Sequence, residues 1–189
     1  MRFILNRLPF RIVWVLCAIL VSCTTPKEKA VILAEEIDRS AWGNWMAVIE
    51  LATEAIEADP TFAWPYAQRG TALAYLGRYT DALRDYDTAI RLRPDLDPAY
   101  TDRAIVYIRV GRLDDAERDL AFSLTASPND MKNLITMAEV QSLKNRPESA
   151  CRLLKRAFIN GFKDIKGLEQ NKNFENLTYS DCYDALMRR

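Results

Sequence analysis

The sequence predicts an all-α protein, a solenoid of stacked antiparallel helical hairpins. Three observations carry that expectation. Pro60, Pro94 and Pro128 are spaced by 34 residues, as are Gly43, Gly77 and Gly111, and Ala82, Ala116 and Ala150; independent series sharing one period are the mark of a repeat architecture. Only six glycines occur among 189 residues, and the abundance of Ala, Leu, Arg, Asp and Glu favours helix over sheet. Apolar residues fall at helical spacing on both sides of Gly77: Tyr66, Leu73 and Leu76 before it, Leu83, Tyr86 and Ile90 after it.

In chain order, the first element is an address rather than a fold element. Arg2, Arg7 and Arg11 form a basic stretch, and Ile12 to Val21 is an unbroken apolar run of ten residues. A bilayer-spanning helix needs about 20 such residues, so the run suits the core of a signal peptide. Leu20-Val21-Ser22-Cys23 resembles the lipobox of bacterial lipoproteins at all four positions. The resemblance implies cleavage after residue 22, lipidation of Cys23 and a tether over 23–28. Two or more acyl chains meet the requirement for stable anchoring. Thr24 rather than Asp follows Cys23, which in proteobacterial lipoproteins resembles the outer-membrane default. The alternative is an uncleaved anchor in which Cys23 is an incidental thiol.

Residues 29–164 divide into four windows: 29–62, 63–96, 97–130 and 131–164. Gly77 and Gly111 fall where the first helix of a hairpin ends, where a glycine takes the left-handed conformation cheaply. Asp97-Pro98 and Ser127-Pro128 read as a capping side chain before a first-turn proline, each opening the next helix. Ala82 and Ala116 let the two helices of a hairpin approach closely. Trp42 and Trp45 read as packing for the first window, with an exposed aromatic knob as the alternative.

At these residues the chain resembles the tetratricopeptide repeat family, whose consensus has an aromatic, a Leu-Gly pair and a Tyr in the first helix, then Ala, an aromatic and Ala in the second, then Pro. Tyr66, Arg69-Gly70, Leu73, Ala82, Tyr86, Ala89 and Pro94 fill it, with Arg69 the main departure. Tyr100, Arg103-Ala104, Tyr107, Ala116, Leu120, Ser123 and Pro128 fill the next copy. The flanking windows are degenerate. The first carries Gly43, Ala52, Ala55 and Pro60; the last carries Leu134, Ala138, Ala150, Leu154 and Ala157, with Phe162 in place of proline. The resemblance implies a right-handed superhelix, with 165–189 as a helical cap. Asn160-Gly161 breaks the last repeat helix, Leu168, Phe174, Leu177, Tyr183 and Leu186 cover the open edge, and Ser180-Asp181 starts a final helix.

It also implies where a partner sits. The concave groove of such arrays is lined by one side of each first helix. By register these are Trp64, Ala67, Gln68, Thr71 and Tyr75, then Thr101, Asp102, Ile105 and Arg109, then Lys132, Ile135, Thr136 and Glu139. Trp, Tyr and Arg dominate binding hot spots, which singles out Trp64, Tyr75 and Arg109. The Lys/Asn/Arg pattern that holds a peptide C-terminal carboxylate in chaperone-type arrays is absent, with Ala67, Thr71 and Asp102 at those places. The expected partner is a protein or peptide segment, and the expected job a membrane-tethered adaptor in the periplasm, in envelope assembly. Self-association through an uncovered repeat edge is the rival.

Composition argues against other classes. With no histidine anywhere, Ser–His–Asp and Cys–His catalysis and His-ligated zinc drop out. No glycine-rich phosphate loop or metal-ligand spacing replaces them, so no enzyme, cofactor or metal site is expected. Beyond residue 22 there are 23 basic against 26 acidic side chains, the wrong balance for a nucleic-acid footprint. Asp95–Asp97 and Asp114-Asp115 read as helix N-terminal charge. Cys151 and Cys182 would close a loop of about 30 residues if bonded, worth roughly 3 kcal/mol. Otherwise they are two buried thiols acting as small hydrophobes.

Overall fold

The computed structural model describes residues 25–39, 43–177 and 183. The expected signal peptide and lipobox with Cys23, and Trp42, Ser180-Asp181, Cys182 and Leu186, lie outside them. Among the described residues there is no strand and no helix long and apolar enough to cross a membrane.

Four helical hairpins follow one another: α1 (Pro26–Arg39) with α2 (Trp45–Ala58), α3 (Ala63–Tyr75) with α4 (Tyr79–Leu92), α5 (Asp97–Arg109) with α6 (Leu113–Ala126), and α7 (Met131–Leu143) with α8 (Pro147–Ile159). A short α9 (Ile165–Gln170) and a 3-10 helix (Lys172–Leu177) close the array. From Ala63 onward each first helix begins 34 residues after the last, and the second helices keep the same step from Trp45. First helices touch the first helices of neighbouring hairpins, and each second helix packs on the following first helix. The result is a tetratricopeptide-type superhelix with first helices along one face and second helices along the other.

Small side chains set the closeness of these helices. Ala52, Ala55, Ala82, Ala89, Ala104, Ala116, Ala138, Ala150 and Ala157 are fully buried. Gly70 belongs with them: a Cβ there would come within 3.1 Å of the Tyr86 ring. Tyr86 is buried and shares a 3.1 Å hydrogen bond with the Thr71 hydroxyl. Burial pushes its phenol pKa upward. Trp45 packs against the cluster of Ile37, Val48, Ala52 and Ala72, where the first hairpin meets α3.

The hairpin turns are left-handed caps. Gly77 and Gly111 have φ of 76° and 77°, and the residue after each donates back to the first helix, Arg78 to Leu73 and Arg112 to Tyr107. Asn145 stands at the same place in the last hairpin with φ 55°, and Arg146 N–H donates to the Gln141 carbonyl at 2.8 Å. Asn is the side chain that tolerates this region best after glycine.

Two expected N-caps are corrected. Asp97 is the first residue of α5 rather than its cap, and its carboxylate accepts from the buried Ser123 hydroxyl. Ser127 ends α6. The cap of α7 is Asp130, which accepts from the Asn133 N–H at 2.8 Å. Asp130 stands just before the helix and aims at the third N–H beyond it, the geometry a side-chain cap requires.

The cap covers the last hairpin. Leu168, Phe174, Leu177 and Tyr183 join Ala138, Ala150, Cys151 and Leu154 in one buried cluster. Cys151 is disulfide-bonded, and Tyr183, the neighbour of Cys182 in sequence, packs in the same cluster.

Candidate functional site

The first helices present a row of polar side chains joined from one repeat to the next. Gln68 on α3 donates to Asp38 on α1 at 3.4 Å. Thr71 on α3 reaches Asp102 on α5 at 3.4 Å, and Asp102 in turn accepts from Lys132 on α7 at 2.6 Å. Glu139 on α7 accepts from Asn171 in the cap. Each link spans about one repeat, so the row is a ladder along the groove. Lys132 remains 58% exposed and Asp102 only 24%, so the ion pair sits on the surface with its acid recessed. Such a pair holds the groove together weakly and yields to a competing ligand at small cost.

The remaining groove residues divide by burial. Ile105 is half-buried and Arg109 exposed. Arg109 lies near enough to favour the charged form of Glu139, as do the hydrogen bonds from Asn171 and Asn173. Burial outweighs all three and pushes the Glu139 pKa up. Tyr75 is exposed at its rim but stacks flat on Trp45, with ring centroids 4.1 Å apart. Trp64 packs against the core around Tyr86. Thr101 and Thr136 are buried, which takes both off the surface a partner touches. Thr101 bonds Ser123 and Asn133 instead, and Thr136 donates to the Lys132 carbonyl in its own helix. The structure thus brings Gln68, Thr71, Asp102, Ile105, Arg109, Lys132 and Glu139 together along one face, assigns Thr101 and Thr136 to packing, and leaves Trp64 half-buried against the core.

Behind the groove lie contacts that sequence reasoning passed over. Arg69 clasps Asp85 with two hydrogen bonds of 2.7 and 2.8 Å, and Arg103 clasps Asp119 with two of 2.8 Å. Arg103 also reaches Asp87 on the preceding second helix at 2.6 Å. These explain the departure from consensus at Arg69. The signal was present, since Asp85 and Asp119 share the 34-residue step of Arg69 and Arg103. The buried network of Thr101, Ser123 and Asn133 left no such periodic trace.

Among the described residues no cluster of three metal-ligating side chains occurs.

Comparison with known proteins agrees with this architecture. Residues 70–111 match the family model described as TPR repeat, and residues 51–84 the one described as tetratricopeptide repeat. The chain carries tetratricopeptide repeats. It is 36% identical over 90 residues to the Protein SGT1 homolog of Oryza sativa subsp. japonica, covering 48% of this chain and 24% of that protein. The chain spans about a quarter of the length of such curated relatives. Among solved structures, MamA residues 41 to the end from Desulfovibrio magneticus RS-1 superposes with a TM-score of 0.68 at 18% identity, over 87% of this chain and 95% of that one. The first TPR of Spaghetti (RPAP3), solved bound to an HSP90 peptide, does so with a TM-score of 0.58 at 22% identity, over 61% and 92%. Those identities speak for the fold.

Proposed function

We propose that this protein is a non-enzymatic adaptor that grips a segment of a partner protein in the groove of its first helices, tethered by a lipid on Cys23 to the periplasmic side of a bacterial envelope membrane, the outer membrane by the residue after the lipobox. The observation that carries the groove reading is the ladder from Gln68 through Asp102 and Lys132 to Glu139. It offers paired donors and acceptors at regular intervals, which is what an extended or helical segment needs along its length. The peptide held by the RPAP3 domain is a precedent on the same fold. The Lys/Asn/Arg pattern that holds a terminal carboxylate is absent, with Asp102 at one of its places and already paired with Lys132, so the segment gripped here is internal. The tether rests on the sequence of residues 1–24 alone.

The test is crosslinked capture from native envelopes. A folded Arg109→Glu, Lys132→Glu variant is expected to lose a partner that the wild type retains; retention by both places the contact elsewhere. For the anchor, metabolic labelling with a fatty-acid analogue is expected to mark the wild type and not Cys23→Ala, and equal labelling refutes it.

A second reading, self-association through the open N-terminal edge, is favoured by Val31 and Ile32 on α1, 49% and 46% exposed. A Val31→Asp, Ile32→Asp variant that sediments as the wild type does removes it.

A further inference from the structure

The second helices form the opposite face, and the intervals between them are not alike. Between α4 and α6 the chain supplies its own ion pairs. Arg103 enters from α5 and is answered by Asp87 on one side and Asp119 on the other. Phe122 closes the interval by packing on Tyr100, centroids 4.3 Å apart.

One repeat later the same stations hold different chemistry. Met137 stands in the place of Arg103, Ala121 in that of Asp87, Leu153 in that of Asp119, and Arg156 in that of Phe122. Loss of the cation and both acids leaves the α6–α8 interval open, a cleft of about 600 Å³ with Ala121, Leu124, Met137 and Leu153 in its lining. Its α8 side carries Arg146, Arg152 and Arg156. Glu117 is the one acid among the lining residues, and it already accepts from Lys144, Gln141 and Arg146. Arg152 bonds the Ser149 hydroxyl and Arg156 the Pro128 carbonyl, so both carry uncompensated positive charge at the rim.

We infer that this cleft is a second binding site, separate from the groove, for an extended peptide segment in which acidic and apolar residues alternate. The charge at the rim calls for carboxylates. The apolar lining calls for hydrophobic side chains beside them. The span excludes a single small anion: Arg146, the N-cap of α8, and Arg156 lie ten residues apart, about 15 Å along the helix axis. Acids at alternate positions of an extended segment are about 7 Å apart, so three of them cover that distance while the intervening side chains face α6. In the interval before it the chain supplies cation and acids together, Arg103 with Asp87 and Asp119.

The experiment is fluorescence anisotropy on the full-length protein with a labelled, end-blocked Glu-Leu-Glu-Leu-Glu peptide, against the peptide with Gln at each Glu. The acidic peptide is expected to bind about ten-fold more tightly or better, weakening with salt. Arg152→Glu with Arg156→Glu, both exposed side chains, is expected to abolish that preference while the circular dichroism stays unchanged. The groove variant Lys132→Glu is expected to keep it. Equal binding of both peptides, an unchanged preference in the double arginine variant, or loss in the Lys132 variant overturns the assignment. So does a wild type that sediments as a dimer and becomes monomeric on Arg152→Glu with Arg156→Glu, which makes a second copy the occupant. Because groove and cleft are altered by different substitutions, failure here is distinguishable from failure of the groove reading.

Discussion

The second and third hairpins and the fourth solve one packing problem in two ways. Where Arg69 meets Asp85 and Arg103 meets Asp119, a charged clasp ties the first helix to the second inside each central hairpin. In the fourth hairpin the same two stations hold Met137, which is buried, and Leu153, which packs against the cluster that includes it. The helices keep their 34-residue step in both versions. What differs is the environment each choice needs. A clasp with its guanidinium 15% exposed and its carboxylate 10% exposed must satisfy its own hydrogen bonds, whereas Met and Leu need only surroundings without water. Fold is therefore insensitive to this choice. Surface is not, because the apolar version leaves the neighbouring interval open.

The comparison is broken most forcefully by removing half a clasp. Asp119→Ala strands the Arg103 guanidinium with Asp87 as its one remaining acid and is expected to cost about 3 kcal/mol in urea unfolding. Replacing the whole clasp by the fourth hairpin's solution, Arg103→Met with Asp119→Leu, is expected to bring stability back to within about 1 kcal/mol of the wild type. A double variant as unstable as the single one means that the two stations are not equivalent.

A smaller effect sharpens the same comparison at the turns. Gly111→Ala forces a Cβ into the left-handed region and is expected to cost about 1 kcal/mol. Gly111→Asn is expected to cost less than Gly111→Ala, because Asn145 already holds that conformation in the last hairpin. Thermal denaturation of the three proteins gives the order directly.

The smallest effect concerns pH. Burial raises the Glu139 pKa above its ordinary 4.5, so the folded state holds that proton more tightly than the unfolded chain does. Its contribution is fully present below pH 4.5 and is lost as pH rises through the folded value. Glu139→Gln removes this dependence. The wild type is therefore expected to lose stability relative to the variant from pH 4.5 towards neutrality, read by urea midpoints across that range. A constant difference contradicts the burial argument.

Much of this architecture was legible in the sequence because repetition makes it so. A glycine at 34-residue intervals marks a turn and an alanine at the same interval marks a close approach, whatever the tertiary context. The Arg–Asp clasps repeat with that period and could have been read. The groove was legible only as a register. Which members face the partner depends on local burial, and that is why Thr101 and Thr136 turn out to serve packing while Asp102 and Lys132 join across repeats. Ser123 looked like a substitute for a small residue. It proves to be the centre of a buried hydrogen-bond network because Asp97 and Thr101 of α5 and Asn133 of α7 converge on it, an encounter no local pattern announces. The α6–α8 cleft is visible only when equivalent stations of neighbouring repeats are compared.

The central claim is that a partner segment lies along the first helices, and site-specific photocrosslinking in cells tests it most directly. A crosslinking amino acid placed at Gln68, Ile105 or Lys132 is expected to yield adducts with one and the same partner protein, while the same probe at Thr88, half-buried on α4 among the second helices, yields none. Adducts from Thr88 alone, or none from any groove position, would contradict it.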